Sequence, residues 1–308
     1  MLEIRKEIFA NKKEIFMKII VTGSLGHIGK PLAEELVQKG HMVTVISSKP
    51  EKQKDIAALG AVAAIGSLED ADFLASAFTG ADAVYAMVPP NYTVPNIRTY
   101  YQKLGSNYAG AVQRSGVKRL VHLSSYGAHL DKGTGFILGA HDAEGILDEL
   151  SDVAVTHLRP SYFYYNFYNF VDMIKAAGFI GANYGGDDKI VMVAPSDIAA
   201  AAVEELETPA TGRKVRYVAS DEHTADEIAH ILGDAIGKPD LKWVTFTDKQ
   251  TQSAMEEKGM PPHIAANFVE LGASIHSGAL REDYDLHQPT VMGKVKLQDF
   301  AKEFAAAF

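Results

Sequence analysis

The chain contains no cysteine. That absence excludes a disulfide framework, a Cys-ligated zinc site and a thiol nucleophile, and it fits a reducing compartment, so a cytoplasmic protein is expected. Long apolar runs are also missing. Nothing approaches the roughly 20 consecutive apolar residues that span a bilayer, and no membrane partner is expected. Positive charge is in deficit: 30 Lys and Arg stand against 39 Asp and Glu, a formal net charge of -9. This disfavours a general affinity for nucleic acid. No grouping of His, Asp and Glu has the spacing of a metal site. Residues 1–16, MLEIRKEIFANKKEIF, lack the apolar core and small-residue cleavage site of a secretory signal. They read as an N-terminal extension ahead of Met17.

What is present suits an ordinary globular chain. Its 308 residues, 47% hydrophobic, are enough for one large α/β domain or two modest lobes. The first informative stretch is Lys18 to Thr22, an apolar, β-branched run of strand type. The loop Gly23-Ser24-Leu25-Gly26-His27-Ile28-Gly29 follows, then a helix-like run from Pro31 to Gly40 and a second strand, Met42 to Ser47. A strand, glycine-spaced turn, helix and strand within about 30 residues is the context a dinucleotide site requires. Gly23 allows the tight turn, Gly26 removes a side chain where backbone must approach a pyrophosphate, and Gly29 lets the helix pack closely. Amides at the helix start then face the phosphates. The spacing is G-x-x-G-x-x-G, which resembles the short-chain dehydrogenase/reductase superfamily.

The end of the second strand reports on the ribose. A carboxylate there would bond the 2′-hydroxyl of NAD and repel a 2′-phosphate. The chain instead reads Ser47-Ser48-Lys49, with no acidic residue before Glu51. Two hydroxyls and an ammonium suit a phosphate, so NADP(H) is the expected cofactor and NAD(H) the lesser alternative. The plain alternative is that Ser48-Lys49-Pro50 only turns the chain.

Strand-like runs recur at Ala61–Ile65, Ala83–Met87 and Arg119–Ser124, separated by helical stretches. This rhythm predicts an α/β protein: a Rossmann-type, doubly wound parallel sheet with ligand at the C-terminal ends of the strands. Ser67 stands where related proteins often carry an adenine-contacting Asp, although its hydroxyl equally suits a helix cap. The superfamily's usual Tyr-x-x-x-Lys pair, in which lysine lowers the tyrosine pKa, is missing. None of the 13 tyrosines has a lysine four residues later. Alcohol dehydrogenation and sugar epimerisation by that pair are therefore not expected.

The ordered set VTGSLGHIGKPLAEEL, Val88-Pro89-Pro90, HLSSYGA from His122, HDAEGILDEL from His141 and HLRPSYFYYNF from His157 resembles the NmrA-like atypical short-chain dehydrogenases/reductases. The likeness covers nearly the whole chain after Met17. Within the family it is most similar to the quinone oxidoreductase and triphenylmethane reductase branch. The resemblance implies NADPH-dependent reduction of quinones or dyes by direct hydride transfer. Other relatives are regulators that bind the cofactor without turnover. The expected partner is a small, flat, quinone-like acceptor, with a homodimer as the candidate assembly and a protein partner if the chain is a regulator.

Carried onto this chain, the resemblance places Gly23, Ser24, Leu25, Gly26, His27 and Ile28 on the pyrophosphate. It places Ser47, Ser48 and Lys49 at the 2′-phosphate, and Met87, Val88 and Pro89 along the adenosine and ribose. Ser124 and Ser125 border the nicotinamide ribose. Pro160, Ser161, Tyr162 and Phe163 line the nicotinamide and acceptor. Ser125, His141 and Tyr162 are the candidate catalytic residues. His141 and Glu144 share one helix face, so His141 either bonds the ribose or an acceptor oxygen, or the two form an exposed or capping pair. His27 is expected to face solvent. The aromatic run Tyr162 to Phe170 offers rings to stack on a flat acceptor or to fill a second core.

Residues 17–160 with about 191–207 are expected to form the cofactor domain. About 161–190 and 208–308 are expected to form a smaller α/β lobe over it. Thr224-Ala-Asp-Glu227 has the pattern of a capping box, and the stretch around Gly259, Pro261 and Pro262 is a candidate substrate lid.

Overall fold

Apolar, β-branched runs between helices have one economical arrangement, a parallel sheet buried on both faces. A computed structural model, which describes residues 16–308, has that arrangement; most of the expected N-terminal extension lies outside the described residues. Strands β1 (Lys18–Val21), β2 (Met42–Ser47), β3 (Val62–Ile65), β4 (Ala83–Met87), β5 (Arg119–Leu123) and β6 (Ala154–Pro160) join a later strand, β10 (Arg213–Val218). The sheet order is β10-β6-β5-β4-β1-β2-β3, with every pairing parallel. Ile19 pairs with Val43 on one side and Ala83 on the other. The strand order therefore reverses at β1, and the crevice that opens there lies at the C-terminal ends of β1 and β4. The fold is Rossmann-type α/β.

Helix Gly29–Gln38 buries Gly29, Leu32, Ala33 and Leu36, the three-and-four spacing of one face. Leu32 and Leu36 are fully buried, each worth about 1.5–3 kcal/mol. Beside it on the same sheet face lies helix Pro195–Glu207. Arg119 at the start of β5 holds that helix. Its guanidinium donates to Glu205 O at 3.1 and 2.7 Å and to the Glu205 carboxylate at 3.1 Å. Helices Ala71–Phe78, Ile97–Ser115 and Ile137–Asp148 cover the opposite face.

The smaller lobe has two short sheets. Strands β7 (Tyr162–Phe163), β9 (Lys189–Val193) and β11 (Asp221–Thr224) form one; β8 (Phe179–Ala182) and β12 (Lys242–Thr245) form the other. Its core gathers Tyr164, Phe167, Trp243, Phe300 and Phe304. The Trp243 indole donates to Tyr184 O at 2.7 Å. Thr224 and Glu227 make the expected capping box on helix Ala225–Ala235. One segment departs from expectation. Residues 213–218, assigned by the sequence reading to the smaller lobe, extend the large sheet beside β6. The run Arg-Lys-Val-Arg-Tyr-Val carries the charge that a sheet edge requires to deter further pairing.

His122 on β5 and His157 on β6 stand opposite one another, Nδ1 to Nδ1 at 3.0 Å, and both are buried. Burial, and then the neighbouring imidazole, hold the His122 pKa well below its ordinary value. The unfolded chain binds a proton at this residue below about pH 6.5, whereas the folded chain does not. Stability is therefore lost as pH falls from that value toward the folded-state pKa, by up to about 1.4 kcal/mol per pH unit. His122→Asn should flatten the decline of Tm on acidification. Equal declines in variant and wild type, measured by calorimetry across this range, would contradict this role.

Candidate active site and cofactor cleft

The loop after β1 is held open by local constraints. Gly23 has φ +87°, and a Cβ there would sit 2.7 Å from Met87 Sδ. Ser24, with φ +59°, also takes the left-handed conformation, at a cost of about 1–3 kcal/mol for a non-glycine residue. The surrounding chain imposes it: Ser24 N donates to Ile46 O at 3.0 Å, and Ser24 Oγ donates to Ser47 Oγ at 3.0 Å. Gly29 is needed by the protein, because a Cβ there would lie 2.2 Å from Ser24 O. The close approach is to the loop itself rather than to the sheet.

Gly26 differs. A Cβ at that position would meet only Gly23 O, at an ordinary 3.6 Å. Nothing among the described residues demands glycine there, so the space it leaves fits a ligand. The first amide bonded back into the helix is Lys30 N, which donates to Gly26 O at 3.0 Å. His27, Ile28 and Gly29 precede it, so their amides form the electropositive start of the helix, suited to a pyrophosphate. Ile28 offers only its amide, since its side chain is in the core. The adjoining strand end is fixed by Thr22, whose hydroxyl accepts from Met87 N at 2.9 Å, and by Tyr108, which donates to Met87 O at 2.7 Å. Leu25, Met87 and Phe163 pack on one core and so share a face; Val88 turns into the opposite core.

At the end of β2, Ser47 is buried and accepts from Lys49 N at 3.2 Å, so it shapes the turn. Ser48 and Lys49 are exposed, and Lys49 forms no ion pair among the described residues. Ser67 is also exposed, and its hydroxyl accepts from Glu69 N at 3.1 Å. Its expected helix-capping role is corrected: Asp70 caps helix Ala71–Phe78, accepting from Asp72 N and Phe73 N at 3.0 and 2.9 Å.

Past β5 and β6 the site is organised by a buried ionic network. Arg159 donates to both Glu144 oxygens, at 2.9 and 2.6 Å, and to Asp283 at 3.0 Å. Tyr217 donates to the same Asp283 oxygen. Burial raises the Asp283 carboxyl, but the Tyr217 hydroxyl and the Arg159 charge outweigh it and hold the pKa below the usual range. Ser124, expected beside the nicotinamide ribose, is buried and donates to Glu144 Oε1. Its hydroxyl proton is committed to the network. His141 and Glu144 likewise do not act as a pair. The His141 ring donates from Nδ1 to Ala128 O at 2.8 Å, whereas Glu144 is buried against Arg159 and neither exposed nor capping.

A cavity of about 150 Å³ lies between the lobes at the ends of β5 and β6. Ser125, Pro160, Ser161, Tyr162 and Phe163 form its sheet side, and Leu271 and Ile275 of helix Pro262–His276 face them. Ser161 Oγ is buried and has no partner among the described residues. Among the described residues Ser125 Oγ bonds only the neighbouring Tyr126 O, at 3.1 Å. Tyr162 turns toward the smaller lobe and Phe163 toward the large one. Burial pushes the Tyr162 hydroxyl up to about 12, so it stays protonated at neutral pH. His141 does not line the cavity, though Ile137, one turn earlier, does. His27 is exposed as expected, but its ring stacks on Tyr165 at 4.7 Å, and Tyr165 packs on Phe163 at 5.1 Å. These rings join the glycine loop to the cavity wall. Tyr164 and Phe167 belong to the smaller lobe's core.

Sequence reasoning missed Tyr126, Lys189, Leu271, Ile275 and Arg281, all of which line the cavity. It also missed Arg159, for which a signal existed: a guanidinium in a strand otherwise suited to burial needs a carboxylate partner.

With this geometry in view, comparison with known proteins places the chain. A family model described as NAD(P)H-binding matches residues 23–209, and the chain belongs to that family. A curated relative from Streptomyces griseus, (4-alkanoyl-5-oxo-2,5-dihydrofuran-3-yl)methyl phosphate reductase, is 28% identical over 85% of this chain and 88% of its own length. The uncharacterized oxidoreductase YesF of Bacillus subtilis is 28% identical over 94% of this chain and 95% of its own. Among solved structures, an NADPH-dependent quinone oxidoreductase from Escherichia coli complexed with NADPH has TM-score 0.80 at 21% identity, covering 92% of this chain and 99% of that one. Citrobacter triphenylmethane reductase complexed with NADP(H) has TM-score 0.77 at 22% identity, covering 93% and 99%. The NmrA-like resemblance fits these findings, and as a member of the matched family the chain is an NAD(P)H-binding protein.

The two loop glycines give a paired prediction. Gly26→Ala should leave Tm nearly unchanged while weakening NADPH binding, because only a ligand needs that space. Gly29→Ala should lower Tm by forcing the helix from Ser24. Fluorescence titration and thermal melting separate the two. Unaltered NADPH affinity in Gly26→Ala would remove the loop from the cofactor site.

Proposed function

We propose that this protein is an NADPH-dependent reductase of a small, flat, electron-poor acceptor, a quinone being the best fit, acting in the cytoplasm. The observation that carries the reading is the cavity at the ends of β5 and β6. It is walled by Ser125, Pro160, Ser161 and Phe163 and linked to the glycine loop through Phe163, Tyr165 and His27. Bound along this cleft, the reduced cofactor supplies a hydride. The loop from Gly23 to Ile28 holds the pyrophosphate, and Ser48 and Lys49 hold the 2′-phosphate. Met87 and Pro89 border the adenosine side. The apolar side chains of Phe163, Leu271 and Ile275 exclude water and hold a flat ring.

The hydroxyls of Ser125 and Tyr162, both in the cavity lining, serve as hydrogen-bond donors to an acceptor oxygen. Tyr162, with its pKa near 12, serves as a donor and not as a base. A quinone needs little more, because its reduced oxygens take protons readily from water or a hydroxyl, and so the missing Tyr-x-x-x-Lys pair is tolerable. His141, anchored through Nδ1 to Ala128 O, lies one turn from the cavity residue Ile137. Its role is ribose or acceptor positioning.

Purified protein should oxidise NADPH on addition of benzoquinone-type acceptors, read by loss of nicotinamide absorbance. Cofactor binding without turnover across a broad acceptor panel would instead favour a cofactor-sensing regulator. Lys49 makes no ion pair among the described residues, so it is available to a 2′-phosphate, and NADPH should bind more tightly than NADH. Lys49→Ala should weaken NADPH binding roughly tenfold or more, the loss of one charge-assisted contact of about 1.5–3 kcal/mol, with NADH little changed. Equal wild-type affinities for the two cofactors would refute this assignment.

A further inference from the structure

We infer that the acceptor carries an anionic oxygen group, a carboxylate or a phosphate, held by Arg281 with Lys189 beside it at the smaller-lobe end of the cavity. This rests on the reading that the cavity receives the acceptor, and it names that acceptor's class.

The lining is asymmetric in charge. Lys189 and Arg281 both line the cavity, and among the described residues no Asp or Glu does. The Arg281 side chain is 17% exposed, and its polar contacts are made by a single nitrogen. Nη2 donates to Glu222 Oε1 at 3.2 Å and Oε2 at 3.4 Å and to Asp285 Oδ1 at 2.9 Å. Nη1 is buried and has no acceptor among the described residues. A buried guanidinium N–H without a partner is unfavourable unless something completes it. The contacts through Nη2 explain why Arg281 is anchored; they leave Nη1 unexplained.

The guanidinium is also pre-positioned. It lies 5.9 Å over the Tyr284 ring, and Tyr284 packs edge-on against Tyr126, another cavity residue, at 5.6 Å. A planar fork held in this way suits a carboxylate or phosphate oxygen. Lys189 enters from β9, where Ile190 and Val191 also line the cavity, and its nearest carboxylate is Glu222 at 3.8 Å. That distance is too long for a hydrogen bond, so its ammonium is available to a second anionic oxygen. The sheet side of the cavity offers hydroxyls and rings, and the smaller-lobe side offers cations. The matching ligand has a flat ring at one end and an anion at the other.

The test is equilibrium binding to the NADP⁺-loaded protein by titration calorimetry. The probes are 2-naphthoate, 2-naphthyl phosphate and the neutral 2-naphthamide. At least one anion should bind roughly tenfold or more tightly than the amide, as one charge-assisted contact provides, and the tighter anion identifies the group. In Arg281→Met the ratio of anion to amide affinity should fall to near one, and in Lys189→Met it should fall part of the way. Glu222→Gln, which removes the competing carboxylate, should raise the ratio and serves if Arg281→Met does not fold. A wild-type ratio near one, or a ratio unchanged in all three variants, overturns the inference. NADPH turnover with unsubstituted naphthoquinone is measured alongside. Turnover without anion preference rejects the anion site alone, whereas anion preference without turnover of any acceptor rejects the reductase reading alone.

Discussion

Arg159 stands in a strand in which every residue from Ala154 to Pro160 is buried. An unpaired guanidinium at that depth is not tolerated, and breaking such a pair costs about 3–5 kcal/mol. The chain answers with Glu144 from helix Ile137–Asp148 and Asp283 from helix Arg281–Leu286. One side chain thus ties a strand of the large sheet to the helix on its face and to a helix of the smaller lobe. Ser124 is drawn into the same network. The residues that follow these anchors, Ser125 and Tyr126 after β5 and Ser161 to Phe163 after β6, are therefore delivered to a fixed rim, and Arg281 arrives two residues before Asp283. The cavity is a consequence of how a buried charge is satisfied.

The cofactor cleft depends on a different constraint. At Gly23 a φ of +87° and at Gly29 a backbone oxygen 2.2 Å from the Cβ position rule out a side chain, whereas at Gly26 nothing among the described residues does. Gly23 and Gly29 are explained by folding, and Gly26, on the proposed reading, by a bound pyrophosphate. Ser24 shows the same division: its left-handed backbone is paid for by hydrogen bonds to β2, which fix the loop before a ligand arrives. The preformed loop lowers the ordering cost of binding.

The parts legible in the sequence were those set by neighbours along the chain. The glycine spacing, the strand rhythm and the capping box at Thr224 each reflect a constraint spanning a few residues. Where the determining partner lay far away, the reading failed. Ser124 at a strand end gives no sign of its carboxylate partner until Glu144, 20 residues later, is seen to accept its hydrogen bond. Ser67 reads as a helix cap until Asp70 is seen to hold both amides. Residues 213–218 follow a helix that returns to the large sheet, and only that return reveals them as its edge strand. The cationic end of the cavity was hidden for the same reason, since Lys189 and Arg281 meet only through the fold of the smaller lobe.

The central claim is that the cavity between the lobes is where an acceptor meets the nicotinamide. A crystal structure of the protein with NADP⁺ and a bound quinone tests it most directly. The account predicts the pyrophosphate on the amides after Gly26, the nicotinamide against Pro160, Ser161 and Phe163, and the quinone ring in the cavity facing Leu271 and Ile275. A nicotinamide lying away from this rim, or a quinone bound elsewhere with the cavity empty, would contradict it.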